Sequence, residues 1–173
     1  MDISSVKIRN AGTPDHKKVL SVILNWWEGR DLRQNAQKIF FDHFSNTTFI
    51  AEYNNEMIGF LIGFLSQSKP EEAYIHLVGI HPDMRKLGLG SLLYERFIEV
   101  CSRHGRSIFR SCTSIVNKES IAFHKYMGFS IEQGEGEIDG IPVLYGTDKD
   151  HPPTVLFMKD IKIKVKNKVK YYE

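Results

Sequence analysis

A chain of 173 residues, 42% apolar and 25% charged, is long enough for one domain with an ample core, too short for two, and too evenly charged for disorder. The formal charge of +2 stems from the C-terminal tail, where residues 159–173 hold six Lys against Asp160 and Glu173, so a nucleic-acid surface has little support. There is no run of about 18 apolar residues to span a membrane, Met1 to Lys7 carry no export signal, and Cys101 and Cys112 lack both disulfide density and zinc-site spacing; the expectation is a cytoplasmic protein with no membrane partner and no metal.

In chain order, Ser5 to Arg9 reads as an opening strand. Thr13-Pro14 supplies a helix N-cap with proline at N1, and Val19, Leu20, Ile23, Leu24 and Trp27 follow at helical spacing. A second helix starts near Asn35 and carries Ala36, Ile39, Phe40, His43 and Phe44 on one stripe. Thr48 to Tyr53, the turn Asn54-Asn55-Glu56 and Met57 to Ser66 form a hairpin, and Glu72 to His81 is a third strong strand ended by Pro82-Asp83. A basic, glycine-spaced loop leads into a helix with Leu89, Leu93, Phe97 and Val100 on its buried face. Ser107 to Ile115 is again a strand, Asn117 caps a short helix ended by Gly128, and Phe129 returns to strand. Residues 134–153, rich in Gly, Pro and acidic side chains, read as a long loop or irregular excursion before a strand at Val155 to Ile161. This order of elements predicts a mixed α+β or α/β domain.

The chemistry concentrates where the third strong strand passes through Arg85-Lys86-Leu87-Gly88-Leu89-Gly90-Ser91 into a helix. Backbone N–H groups at a helix N-terminus favour anions, glycines allow close approach, and Arg85 and Lys86 add charge; a plain tight turn with a solvated basic pair is the other reading. A nucleotide-hydrolysing phosphate loop needs Gly-Lys-Ser/Thr, but Ser91-Leu92 follow Gly90, and a dinucleotide fingerprint needs a third glycine where Leu93 stands.

At these residues the sequence resembles the GNAT N-acetyltransferase superfamily, whose acetyl-coenzyme A signature, Arg/Gln-x-x-Gly-x-Gly/Ala, is here Arg85-Lys86-Leu87-Gly88-Leu89-Gly90. A second motif of that family is similar to Asn117 through Phe129, ending in Gly128-Phe129. The resemblance implies a central, mostly antiparallel, twisted sheet of six to seven strands, splayed after the fourth and flanked by about four helices. Residues 1–161 would form one N-acetyltransferase domain and residues 162–173 a basic extension. It implies acetyl-coenzyme A as donor, its pyrophosphate on the amides from Arg85 to Ser91 and its pantetheine arm beside Val78, Gly79 and Ile80 like an added strand. Gly79 fits either a bulge that splays the strand or a packing gap filled by a neighbour. Asn117 caps its helix and, in the family, often touches the cofactor arm.

An alkylammonium with a pKa of about 10.4 is only about 0.04% neutral at pH 7, so acetyl transfer to an amine needs a base or a water relay. By the period of two, Tyr74, His76 and Val78 share a face; some members of the family it resembles carry the base or its water relay at this point, which implies His76 as the first candidate base, with Glu72 behind it, and a hydrogen-bonded structural histidine is the alternative. Where the family often has a tyrosine that protonates the departing thiolate, this chain has His124, and Tyr126 falls two residues later; either or neither is the acid. The reaction the resemblance implies is direct attack of a primary amine on the thioester in a ternary complex, and the rival is a non-catalytic module that binds or senses acyl-coenzyme A.

The acceptor, a small molecule or peptide amine, would meet the first two helices and the 134–153 segment. Trp26, Trp27, Phe40, Phe41 and Phe44 are core or lining, and Glu135, Glu137, Asp139, Asp148 and Asp150 are solvated or attract a cation. The alternating Ile161-Lys162-Ile163-Lys164-Val165-Lys166 is a strand that extends the sheet, pairs in a homodimer or simply guards an edge.

Overall fold

The computed structural model describes residues 3–146 and 152–161. In chain order these form β1 (Lys7–Asn10), α1 (Thr13–Trp26), α2 (Lys38–His43), β2 (Phe49–Tyr53), β3 (Glu56–Leu65), β4 (Glu72–Ile80), α3 (Leu89–Arg103), β5 (Ile108–Ser114), α4 (Lys118–Tyr126), β6 (Ser130–Ile131), β7 (Gly136–Ile138), β8 (Ile141–Val143) and β9 (Thr154–Asp160). Seven strands make one sheet in the order β1-β2-β3-β4-β5-β9-β6, antiparallel except where β4 meets β5. That parallel contact is brief. Glu72, Ala73 and Tyr74 register with Ile108, Phe109 and Arg110, and pairing stops there although β4 runs on to Ile80. The expected mixed α/β architecture is therefore present, with its sheet parted after the fourth strand.

Local sequence accounts for most of these elements. Asn54 and Asn55 both take left-handed backbone, φ 50° and 65°, the turn that matches strand twist between β2 and β3. Asp139 and Gly140, φ 51° and 75°, do the same between β7 and β8, so the segment read as an irregular excursion holds a hairpin. Gly12, not Thr13, is the cap residue of α1, and its N–H donates to the Asp15 carboxylate at 2.9 Å. The helix buries Val19, Ile23 and Trp26, while Leu24 is 41% exposed and Trp27 lies just past the end. The second helix is shorter than expected, because a 3₁₀ turn occupies Arg33–Asn35 before the six residues of α2. No helix among the described residues is long and apolar enough to cross a membrane. The Lys-rich extension, Asp148 and Asp150 lie outside the described residues.

The sheet separates two cores. α3 and α4 cover one face with Leu89, Leu93, Phe97 and Ile121 against Phe109 and Phe157; α1 and α2 cover the other with Val19, Ile23 and Phe41 against Ile50, Phe60 and Leu77. In β4 the register with β3 slips: Ile62 pairs with Leu77 and Gly63 with Ile75, leaving His76 as the extra residue of a β-bulge. The faces exchange across it. Ala73 and Ile75 belong to the α3 side and so do Val78 and Ile80, whereas Leu77 joins the α1 side. Val78 thus does not share a face with Tyr74 and His76, because the bulge interrupts the period of two. Gly79 is not bulged either. It pairs regularly with Phe60, and a Cβ there would lie 2.7 Å from both Phe60 Cζ and Trp27 Cη2, so it is the packing gap filled by neighbours.

Candidate functional site

Past Tyr74 the diverging strands open a cavity of about 890 Å³, walled by the end of α1 with Trp26 and Trp27, the end of β4, the turn after it, the first turns of α3 and the inner face of α4. Of the residues expected to hold a cofactor, Val78, Ile80, Arg85, Lys86, Gly88, Gly90, Ser91 and Asn117 line it. Gly79, Leu87 and Leu89 do not: Gly79 faces the α1 aromatics, Leu87 points out at 45% exposure, and Leu89 is buried in the core.

Lys86 at φ 62° and Gly88 at φ 87° turn the chain into a concave lip before α3. The amides of residues 86 through 91 have no protein acceptor among the described residues, a row of donors at a helix N-terminus that suits a diphosphate. Gly90 is small for a second reason, since a Cβ would come 3.1 Å from the ring of Phe123 on α4. Arg85 is otherwise engaged: its guanidinium donates to the carbonyl of Trp26, the last residue of α1, and so ties that helix end to the lip. Lys86 remains the exposed cation.

The edge of β4 offers further polar groups. His81 N–H donates to Ile58 O at 2.9 Å, so by antiparallel alternation Val78 and Ile80 turn their backbone groups away from β3 and into the fork, where an extended amide-bearing arm can pair with them. At the base of the fork Ser111 Oγ donates to Ile75 O at 3.1 Å, a staple between β5 and β4 that sequence reasoning missed. Asn117 caps α4 as expected, Oδ1 accepting from Ser120 N at 3.2 Å.

His124 is 3% exposed, with its ring stacked on Phe157 at 4.1 Å. Nδ1 lies 2.8 Å from Ser120 O, which can only accept, so Nδ1 carries the proton and Nε2 accepts from Tyr94 Oη at 3.0 Å. Burial holds this imidazole below its ordinary pKa and pushes the Tyr94 phenol up. Tyr94 also lines the cavity and was not foreseen, although it stands one turn after Gly90 on the helix that the anion loop opens. Tyr126 lies at the rim, 79% exposed.

His76 is not part of this cavity. It sits on the opposite face at the bulge, its ring stacked on Phe40 at 4.8 Å and Nε2 3.0 Å from Asn35 O. The carbonyl fixes Nε2 as the donor and leaves the Nδ1 lone pair without a protein partner among the described residues. Burial lowers its pKa too, so the ring is neutral at neutral pH. Glu72 lies in an ion pair instead, 2.8 Å from Arg110 Nε and 3.6 Å from Lys69 Nζ.

A sheet forked after its fourth strand, with outward amides at the fork, is the arrangement that the two motifs implied, and the sequence profile of the acetyltransferase (GNAT) family matches residues 16–129. The chain belongs to this family. Within the GNAT family it is 34% identical over 85 residues to an uncharacterized N-acetyltransferase of Methanocaldococcus jannaschii, across 47% of this chain and 38% of that protein. It is 30% identical over 79 residues to the L-2,4-diaminobutyric acid acetyltransferase of Nocardia farcinica, across 46% of this chain and 41% of the relative. The match thus spans about two fifths of the length of these curated relatives. The diaminobutyrate acetyltransferase of Paenibacillus lautus, solved in complex with L-2,4-diaminobutyric acid and coenzyme A, has the same fold: TM-score 0.65 and 20% identity, over 91% of this chain and 98% of that one.

Proposed function

We propose that the protein is an N-acetyltransferase that moves an acetyl group from acetyl-coenzyme A to the primary amine of a small molecule or peptide, by direct attack in a ternary complex. The observation that carries this reading is the row of unengaged amides from Lys86 to Ser91 at the mouth of the forked sheet. These donors and Lys86 would hold the pyrophosphate, and the edges of Val78 and Ile80 the pantetheine arm, aligned toward the base of the fork. Acetyl-coenzyme A would supply the thioester.

The amine is taken to approach from the α2 side, where His76 Nδ1 has no protein partner among the described residues. Its nitrogen forms the new C–N bond, the C–S bond breaks, and the surplus N–H proton passes to His76 Nδ1 and from there to solvent. Main-chain N–H groups at the edge of β4 stabilise the charge that develops on the carbonyl oxygen. The departing thiolate takes its proton from water. His124 at neutral pH has no proton aimed at the cavity, and the part left to it is to orient Tyr94 in the cavity wall. Isothermal calorimetry with coenzyme A, followed by thiol release from acetyl-coenzyme A with an amine panel, tests the reading. Heat of binding and amine-dependent thiol are expected, and binding without thiol release by any amine would leave a binding module only.

A further inference from the structure

Arg85 opens the lip, but its side chain turns away to α1. That helix ends in a tight turn in which Glu28 at φ 54° and Gly29 at φ 89° take left-handed backbone. The N–H groups of Trp27, Glu28, Gly29 and Arg30 donate there to the carbonyls of Ile23, Asn25, Leu24 and Trp27, and the carbonyl of Trp26 is passed over. Its partner among the described residues is the guanidinium of Arg85. A cation is favoured at this end of a helix, where unpaired carbonyls carry the negative pole. No other hydrogen bond among the described residues ties residues 26–34 to the sheet or to the lip. The connection is next held at Asn35, whose carbonyl accepts from His76 Nε2 at 3.0 Å. Between the two holds, Trp27, Glu28 and Arg30 line the cavity, and Trp27 closes over Gly79.

We infer that Arg85 is a positioning residue, which sets the α1 wall of the cavity through the Trp26 carbonyl and so serves the pantetheine arm of the donor, not its diphosphate. This rests on the acyl-transfer reading above. Trp26 and Trp27 line the same cavity as Val78 and Ile80, whose backbone groups turn into the fork. The indole of Trp26 packs on Phe60 at 5.9 Å and on His81 at 5.6 Å, and that of Trp27 on Phe60 at 6.0 Å. A shift of the α1 end therefore moves two flat apolar side chains relative to the edge that an extended arm would pair with. An arginine beside Lys86 invites the other assignment, a direct contact with phosphate. The two differ in their chemistry. A bond to a carbonyl needs an N–H donor and no charge, so glutamine can replace arginine in it, whereas a phosphate contact draws on the charge and is lost when the acyl donor has no phosphate.

The test compares Arg85→Gln with Arg85→Met, using acetyl-coenzyme A and S-acetylpantetheine as donors to an amine that the wild type accepts, with kcat/KM read from initial slopes. Arg85→Met is expected to lower kcat/KM about tenfold for both donors, leaving their ratio within about twofold of the wild-type ratio, and Arg85→Gln to keep at least about a third of wild-type kcat/KM. Trp26 and Trp27 are the only tryptophans in the chain, so their fluorescence reads the wall with no ligand present: acrylamide quenching rises in Arg85→Met and matches wild type in Arg85→Gln. A loss confined to acetyl-coenzyme A assigns Arg85 to the diphosphate, and wild-type quenching in Arg85→Met frees the wall from it; either overturns the inference while acyl transfer stands. Arg85→Gln as impaired as Arg85→Met toward both donors overturns it too. Urea unfolding shows whether each variant is folded, and if Arg85→Met is not, the donor ratio and quenching of Arg85→Gln decide alone. Absence of thiol release by the wild type with every amine overturns the parent reading and the pantetheine assignment with it, whereas quenching still reports whether Arg85 sets the wall.

Discussion

The phenol of Tyr94 donates to Nε2 of His124 across 3.0 Å and joins α3 to α4 within the wall of the cavity. Both partners are buried, at 2% and 3% exposure. Tyr94→Phe leaves an imidazole acceptor without a donor and should destabilise the protein by about 1–3 kcal/mol, read from urea unfolding at pH 7.5.

The same histidine makes stability sensitive to acid. His124 and His76 are both held below the ordinary imidazole value, by burial first, with the bonds to Ser120 O and Asn35 O acting against it. Below a pH of about 6.5 the unfolded chain therefore binds more protons than the folded one, so stability is full above that pH and falls as pH drops toward the folded-state values. The urea midpoint should decline between pH 7 and pH 5, and decline less steeply in His124→Gln.

Catalysis should show an acidic limb of its own. If the free Nδ1 of His76 takes the amine proton, kcat/KM falls as pH is lowered through a pKa below about 6.5, and His76→Ala removes that limb while lowering kcat about a hundredfold or more. A limb that persists in the variant would assign the base elsewhere.

Two glycines separate backbone strain from ligand binding. Gly88 at φ 87° and Gly105 at φ 77° have open space where a Cβ would sit, so alanine at either is opposed by conformation alone, about 1–2 kcal/mol. Only Gly88→Ala should also weaken coenzyme A binding, by about tenfold, because only Gly88 shapes the lip proposed to hold the diphosphate. Thermal melts and calorimetry on the pair check this.

Gly79→Ala tests close packing. Its Cβ would enter space held by Phe60 and Trp27, and an overpacked core typically loses about 1–3 kcal/mol, measurable as a drop in Tm.

Features coded by neighbouring residues were legible in the sequence. The Asn54-Asn55 turn, the Asn117 cap, Gly128 at φ 78° and the glycine-spaced lip before α3 all depend on backbone geometry within a few positions. Asp139-Gly140 is a signal of the same kind, but it lies between strands of three residues inside an acidic, Gly- and Pro-rich stretch. The bulge at His76 was beyond reach because its cause is distant. Gly63 on β3 has no room for a Cβ, which would lie 2.9 Å from Phe97 Cζ on α3 and 2.8 Å from Tyr74 O, and the register slips at that point. Counting by twos along one strand cannot register a crowding imposed by a helix. Tyr94 and His124 likewise meet across thirty residues, so only the fold pairs them.

The parallel contact between β4 and β5 ends after three residue pairs, and Ser111 fastens the last of it. Beyond that point the facing rims carry peptide groups that a continuous sheet would have saturated. In the absence of a visitor they must be wetted, so a seam of solvent runs into the interior of an otherwise dry slab. An occupant that replaces this water would knit the two halves together.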